Sequence, residues 1–285
     1  MTKNQLFLWD IEPRKIAYIP VHKNASSYIG WILNELIGKK LIHEPKIIDI
    51  DLPIINGTDI HKLLGYKSST LPTEYKIYST KRNPYSRIVS QFLWHGLKTQ
   101  VRKKQNENNL YSDIEIVGEH DRYQFSIKRD SYDFKNPIYF KRNGKSIGDS
   151  FISDEDYLNM FEDYVSNNCK HTIIPNPDPH ILPQFFRWVD NNEFSLAHNL
   201  IACENLISDS YKLYCDVYID VNKSPEPLSE KEYVEVLIND GEENQFNKTK
   251  HNRRFPISEY FKNDSLKRLF TTAYHYDFLY GGYDK

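Results

Sequence analysis

The sequence predicts an α/β sandwich, a central and mostly parallel sheet with helices on both faces. Three observations carry that expectation. Short apolar or alternating runs at residues 15–21, 75–80 and 200–202 have the length and the aromatic or β-branched content of strands. Each is followed by apolar residues recurring at helical spacing. The chain has 285 residues, 39% of them hydrophobic and 14% aromatic, enough to fill one sizeable core, and it is read as a single domain over residues 1–285.

The elements follow in order. Lys15-Ile16-Ala17-Tyr18-Ile19-Pro20-Val21 is a short apolar strand, and His22-Lys23-Asn24-Ala25-Ser26-Ser27 is a small, polar loop with one lysine. Ile29, Ile32, Leu33, Leu36 and Ile37 then fall on one helical face, and Gly38 supplies the stop. Residues 39–74 read as loops with a short helix near 59–64. Residues 75–80 alternate as a strand that ends in Lys81-Arg82-Asn83-Pro84, with Asn83 placed to cap a helix and Pro84 suited to its first turn. Tyr85, Ile88, Val89, Phe92 and Leu93 continue that helix.

Residues 99–149 turn charged and polar and read as an insertion of loops, with Asn143-Gly144 marking a hairpin. Ser153 caps a helix carrying Tyr157, Leu158, Phe161 and Val165. A third strand at Leu200-Ile201-Ala202 leads through Glu204-Asn205-Leu206 into a helix reaching about Tyr218. Residues 222–256 are polar and end in a basic run at 248–254, and a closing helix spans 264–276.

Composition narrows the function. Lys plus Arg number 37 against 39 Asp plus Glu, a net charge of −2, which argues against general nucleic-acid binding. The three cysteines, Cys169, Cys203 and Cys215, have no metal-ligand spacing and leave an odd thiol, so structural disulfides are not expected. Residues 1–10 lack a charged-then-apolar leader pattern, and no apolar run approaches the roughly 20 residues that span a bilayer. A cytoplasmic protein without a membrane partner is the expectation.

Two segments carry chemistry. A lysine among small residues at a strand-to-helix turn lets Lys23, the backbone N–H groups and the Ser26 and Ser27 hydroxyls surround one anion. In Arg82-Asn83-Pro84-Tyr85-Ser86-Arg87-Ile88-Val89-Ser90, a guanidinium at a strand end and the Ser90 hydroxyl two helical turns on form a second clamp. Two such sites imply a ligand with two separated anionic groups. Gly144-Lys145-Ser146 imitates the end of a nucleotide-binding Walker A loop, but that motif needs a glycine at position 139, which is Tyr139.

With these residues in view, the sequence resembles the sulfotransferases that use 3'-phosphoadenosine-5'-phosphosulfate (PAPS), in the branch of the Golgi carbohydrate sulfotransferases such as the heparan sulfate 2-O-sulfotransferases. The segment 22–27 is similar to the family's 5'-phosphosulfate loop, with His22 where proline is usual and Ala25 where glycine is common. Arg82 through Ser90 resembles its 3'-phosphate motif. His180-Ile181-Leu182-Pro183-Gln184, Cys203-Glu204-Asn205-Leu206, Asn247-Lys248-Thr249-Lys250 and the segment from Tyr274 to Tyr283 resemble further family boxes.

The resemblance implies a P-loop-like three-layer sandwich with PAPS as donor, 3'-phosphoadenosine-5'-phosphate (PAP) as product and no metal. It implies Lys23 at the leaving group, and Asn24, Ala25, Ser26 and Ser27 around the 5'-phosphate. Arg82 and Ser90 would hold the 3'-phosphate, with Lys248, Lys250, Arg253 or Arg254 closing over the cofactor. For the base that accepts the hydroxyl proton, His61 is favoured, with Asp59 to orient it; His180, His22 and Glu204 stay open. The acceptor is expected to be a hydroxyl, a carbohydrate first, with His180 on the acceptor side and the 99–149 region shaping its pocket. A tyrosine or small-alcohol acceptor, and a non-catalytic nucleotide- or sulfated-glycan-binding module, are the alternatives; an intact Lys23 favours the enzyme.

Overall fold

The computed structural model describes residues 3–11, 14–21, 25–51, 75–116, 140–171, 183–184, 199–218, 226–238 and 253–285. Its first half holds β1 (Lys3–Ile11), β2 (Arg14–Ile19), α1 (Ser26–Gly38), β3 (Lys46–Asp51), β4 (Lys76–Lys81), α2 (Pro84–Gln91), a π-helical turn (Phe92–Gly96) and α3 (Leu97–Asn108). Next come β5 (Glu115–Ile116), β6 (Phe140–Arg142), β7 (Lys145–Ile147), α4 (Asp154–His171), β8 (Asn199–Ala202) and a 3-10 turn (Cys203–Asn205). The remainder is helical: α5 (Leu206–Val217), α6 (Glu230–Ile238), α7 (Ile257–Tyr260), α8 (Asp264–Ala273) and α9 (His275–Gly281).

The larger sheet has the order β3-β1-β2-β4-β8. β2, β4 and β8 are parallel neighbours, while β1 runs against both β2 and β3. Four of its five described strands therefore share one direction, which gives the mixed α/β architecture and mostly parallel sheet expected from the sequence. One face carries Phe7, Trp9, Ile16, Tyr18, Tyr78 and Ile201, packed against apolar residues of α1, α5 and α6. The alternate residues Leu8, Ala17, Ile19, Ile77 and Ser79 are buried too. Burial on both faces is why these strands lack a clean polar–apolar alternation.

A second apolar cluster joins α2, the π turn, α3, α4, α7, α8 and α9 and contains no residue of the five-stranded sheet. It is built largely from aromatic rings: Phe92 meets Tyr157, Phe161 and Tyr164 at centroid separations of 5.5, 5.3 and 5.6 Å. Ser153 caps α4, its Oγ accepting from the Asp156 N–H at 3.1 Å. All three cysteines are free thiols. Among the described residues no helix is long and apolar enough to cross a membrane.

Several elements depart from the expectation. β1, β3 and α6 were not expected as regular structure, and the helix begun at Pro84 runs through the π turn to Asn108, so the 99–149 stretch, expected as loops, opens with helix. The hairpin at Asn143-Gly144 is present between β6 and β7, with φ of 51° and 73° at its two central residues. The closing helix breaks at Tyr274, whose ring stacks on Phe270 at 4.5 Å, and the chain restarts as α9. The short helix expected near 59–64 lies outside the described residues.

Candidate functional site

The site is built at the carboxyl ends of three parallel neighbours. β2 pairs with β4 through Ile19 and Ser79, and β4 pairs with β8 through Lys81 and Ala202. Adjacent strands lie about 4.8 Å apart, so the connections leaving β2, β4 and β8 emerge side by side on one edge. Ligands of open α/β sheets bind at such edges. A buried hydrogen bond from Ser79 Oγ to the Ile19 carbonyl, 2.8 Å, ties the first two strands together there.

The first connection runs into α1. Ala25 precedes the helix in the left-handed region, φ 53°, and its carbonyl accepts the N–H groups of Tyr28 and Ile29 at 2.9 and 3.0 Å. Ser26 and Ser27 are therefore the first two residues of α1, where backbone N–H groups have no acceptor within the helix. Lys23 and Asn24 lie outside the described residues, as do His61, His180, Lys248 and Lys250.

The second connection, Arg82-Asn83, is the better defined. Asn83 Oδ1 accepts from the N–H groups of Tyr85 and Ser86 at 3.0 and 3.3 Å, and Pro84 opens α2, as the sequence predicts. Three distant segments grip this loop. Gln184 pairs with the Arg82 peptide on both sides, accepting its N–H on Oε1 at 3.1 Å and donating Nε2 to its carbonyl at 2.6 Å. The Gln184 N–H in turn donates to Asp277 Oδ2 at 3.0 Å, and both Gln184 and Asp277 are fully buried. Glu204, at the end of β8, accepts the Asn83 N–H on Oε1 at 2.9 Å and the Tyr283 hydroxyl on Oε2 at 3.0 Å. Lys81 donates to the Gly281 carbonyl at 2.9 Å and lies over the Tyr283 ring at 5.5 Å.

The loop so held carries a concentration of positive charge. Burial lowers the Arg82 pKa, and the nearby Arg253 and Arg87 push it the same way while Cys203 and Glu204 oppose them. Arg253 is lowered as well, again first by burial. Arg87 is buried in α2 at 3% exposure. Ser90, half-buried, sits three residues further along, on the same side of the helix as Arg87. Guanidinium groups stay protonated at any working pH, so the Arg82, Arg87 and Arg253 charges acting on one another at this loop suit it to an anion.

The two arginines of the basic run part company. Arg254 donates to the carbonyls of Asp149 and Ile152 at 3.2 and 2.9 Å, pairs with Asp154 at 2.5 Å and covers the Tyr157 ring at 5.0 Å. Its guanidinium is committed to the turn before α4, and Arg253 is the one whose charge reaches Arg82. Glu204, one of the candidate bases, already accepts a hydrogen bond on each oxygen, which is the geometry of a brace. Gln184, Asp277 and Tyr283 carry no role in the sequence reading, although each lies in a segment that resembles a family box. Among the described residues no group of three or more His, Cys, Asp or Glu side chains is placed to hold a metal ion.

The chain matches no protein-family model, no curated protein and no solved structure.

Proposed function

We propose that the protein is a PAPS-dependent sulfotransferase that moves the sulfuryl group to a hydroxyl of an acceptor, a carbohydrate in the first instance, on a P-loop-like three-layer sandwich. One observation carries the reading. The two strand-to-helix connections that resemble the donor-binding motifs leave adjacent parallel strands on the same sheet edge, and the second has a braced backbone at Arg82 and Asn83 with the Arg87 and Arg253 charges acting on Arg82. A donor with a phosphate at each end of its ribose needs two such sites a nucleotide's width apart.

In this reading the acceptor oxygen attacks sulfur as the bond from sulfur to the 5'-phosphate oxygen breaks, and PAP departs with that electron pair. Lys23 offsets the charge growing on the leaving oxygen, so the scheme needs no metal. Ser26, Ser27 and the first N–H groups of α1 hold the 5'-phosphate, while Arg82, Ser90 and Arg253 hold the 3'-phosphate. The acceptor proton passes to a histidine, His61 first and His180 second. Residues 99–149 shape the acceptor pocket.

Calorimetry tests the donor site. PAP is expected to bind the unaltered chain well above adenosine 5'-monophosphate. Arg82→Ala is expected to remove most of that preference, and Lys23→Ala to keep PAP binding but lose transfer from labelled PAPS. Equal affinity for the two nucleotides in the unaltered chain would overturn the reading.

A further inference from the structure

The grip on the Asn83 peptide comes from far along the chain. Gly282, in the left-handed region at φ 69°, turns the backbone after α9, and the Tyr283 N–H closes that turn on the Phe278 carbonyl at 3.0 Å. The turn aims the Tyr283 ring at Lys81 and its hydroxyl at Glu204. Burial first, then the neighbouring Glu204 charge, holds the Tyr283 phenol above its ordinary pKa, so it remains a donor throughout the working pH range. With the hydroxyl on Oε2 and the Asn83 N–H on Oε1, Glu204 is fixed from both sides and transmits the position of Tyr283 to the Arg82-Asn83 loop.

We infer that Tyr283, acting through Glu204, is a positioning residue of the 3'-phosphate clamp. The inference rests on the donor-site reading above. Neither side chain need touch the nucleotide. Their effect is to fix the backbone from which Arg82 projects and on which α2, with Arg87 and Ser90, begins. Losing one hydrogen bond of this kind costs roughly three- to tenfold in whatever equilibrium depends on it.

Two readouts on the full chain separate this role from a general loosening. In Tyr283→Phe, which keeps the ring over Lys81, PAP affinity is expected to fall about three- to tenfold while affinity for adenosine 5'-monophosphate, which lacks the 3'-phosphate, stays within about twofold. Glu204→Ala is expected to lose at least as much, and Glu204→Gln, which can still accept the Asn83 N–H, to regain part of it. Independently of any nucleotide, hydrogen exchange at the Asn83 amide followed by NMR is expected to quicken in Tyr283→Phe at unchanged melting temperature. Unchanged PAP affinity with unchanged Asn83 exchange, or an equal loss for both nucleotides, would overturn the inference. If the unaltered chain binds no PAP, the donor-site reading falls, and the exchange measurement still decides whether Tyr283 braces the loop.

Discussion

Ala25 is the residue on which the first connection turns, and it holds a backbone conformation that favours glycine. An L-residue at φ 53° costs about 1–2 kcal/mol, partly offset in Ala25→Gly by the greater freedom of the unfolded chain. That exchange is expected to raise the urea midpoint slightly, by about 0.5 kcal/mol of stability, whereas the β-branched Ala25→Val should lower it by more than about 1 kcal/mol. At this scale the sequence was partly legible. Asn83 and Pro84 announce a capped helix start because capping is local chemistry. Gln184, Glu204, Asp277 and Tyr283 do not announce themselves as braces, since each acts on a partner roughly 80 to 120 residues away in the chain.

Among the elements, the long helix from Pro84 to Asn108 owes its course to a close contact. A Cβ at Gly96 would lie 2.8 Å from Tyr164 ring carbons and 2.9 Å from a Phe92 ring carbon. Both rings are buried within the aromatic cluster and have nowhere to retreat. Gly96→Ala is expected to destabilise the fold by about 1–3 kcal/mol, read as a lower urea midpoint with an unchanged slope. Residues 99–108 read as loop because they turn charged and polar, and because the π turn at Phe92–Gly96 slips the apolar repeat, so that α3 falls out of phase with α2. β1 escaped for a different reason: Phe7, Leu8 and Trp9 are buried on both faces, and so short an apolar run carries no period.

For the molecule as a whole, the dense packing of ionisable aromatic and thiol groups sets an alkaline limit. Burial pushes the Cys169 thiol up to about 12 from an ordinary value near 9, and it raises the Tyr18, Tyr157 and Tyr233 phenols as well. Below about pH 8 these groups are protonated in both the folded and unfolded chain. Above it the unfolded chain releases its protons first, so stability drains away as the pH rises toward 12. Urea midpoints are expected to fall between pH 8 and 10.5, and Cys169→Ala to make the decline shallower; a flat profile would contradict this. The alternation of strands and helices was legible in the sequence because it is written in local periods. The convergence on Arg82 was not, because it depends on contacts spanning most of the chain. Lys81 and Gly281 stand 200 residues apart yet share a hydrogen bond. At a synthesis rate of about 5–20 residues per second, the strand end bearing Lys81 waits some 10–40 s for the carbonyl that secures it. The Arg82-Asn83 loop therefore cannot be clamped until α9 has been made and has docked, however early its own strand is complete.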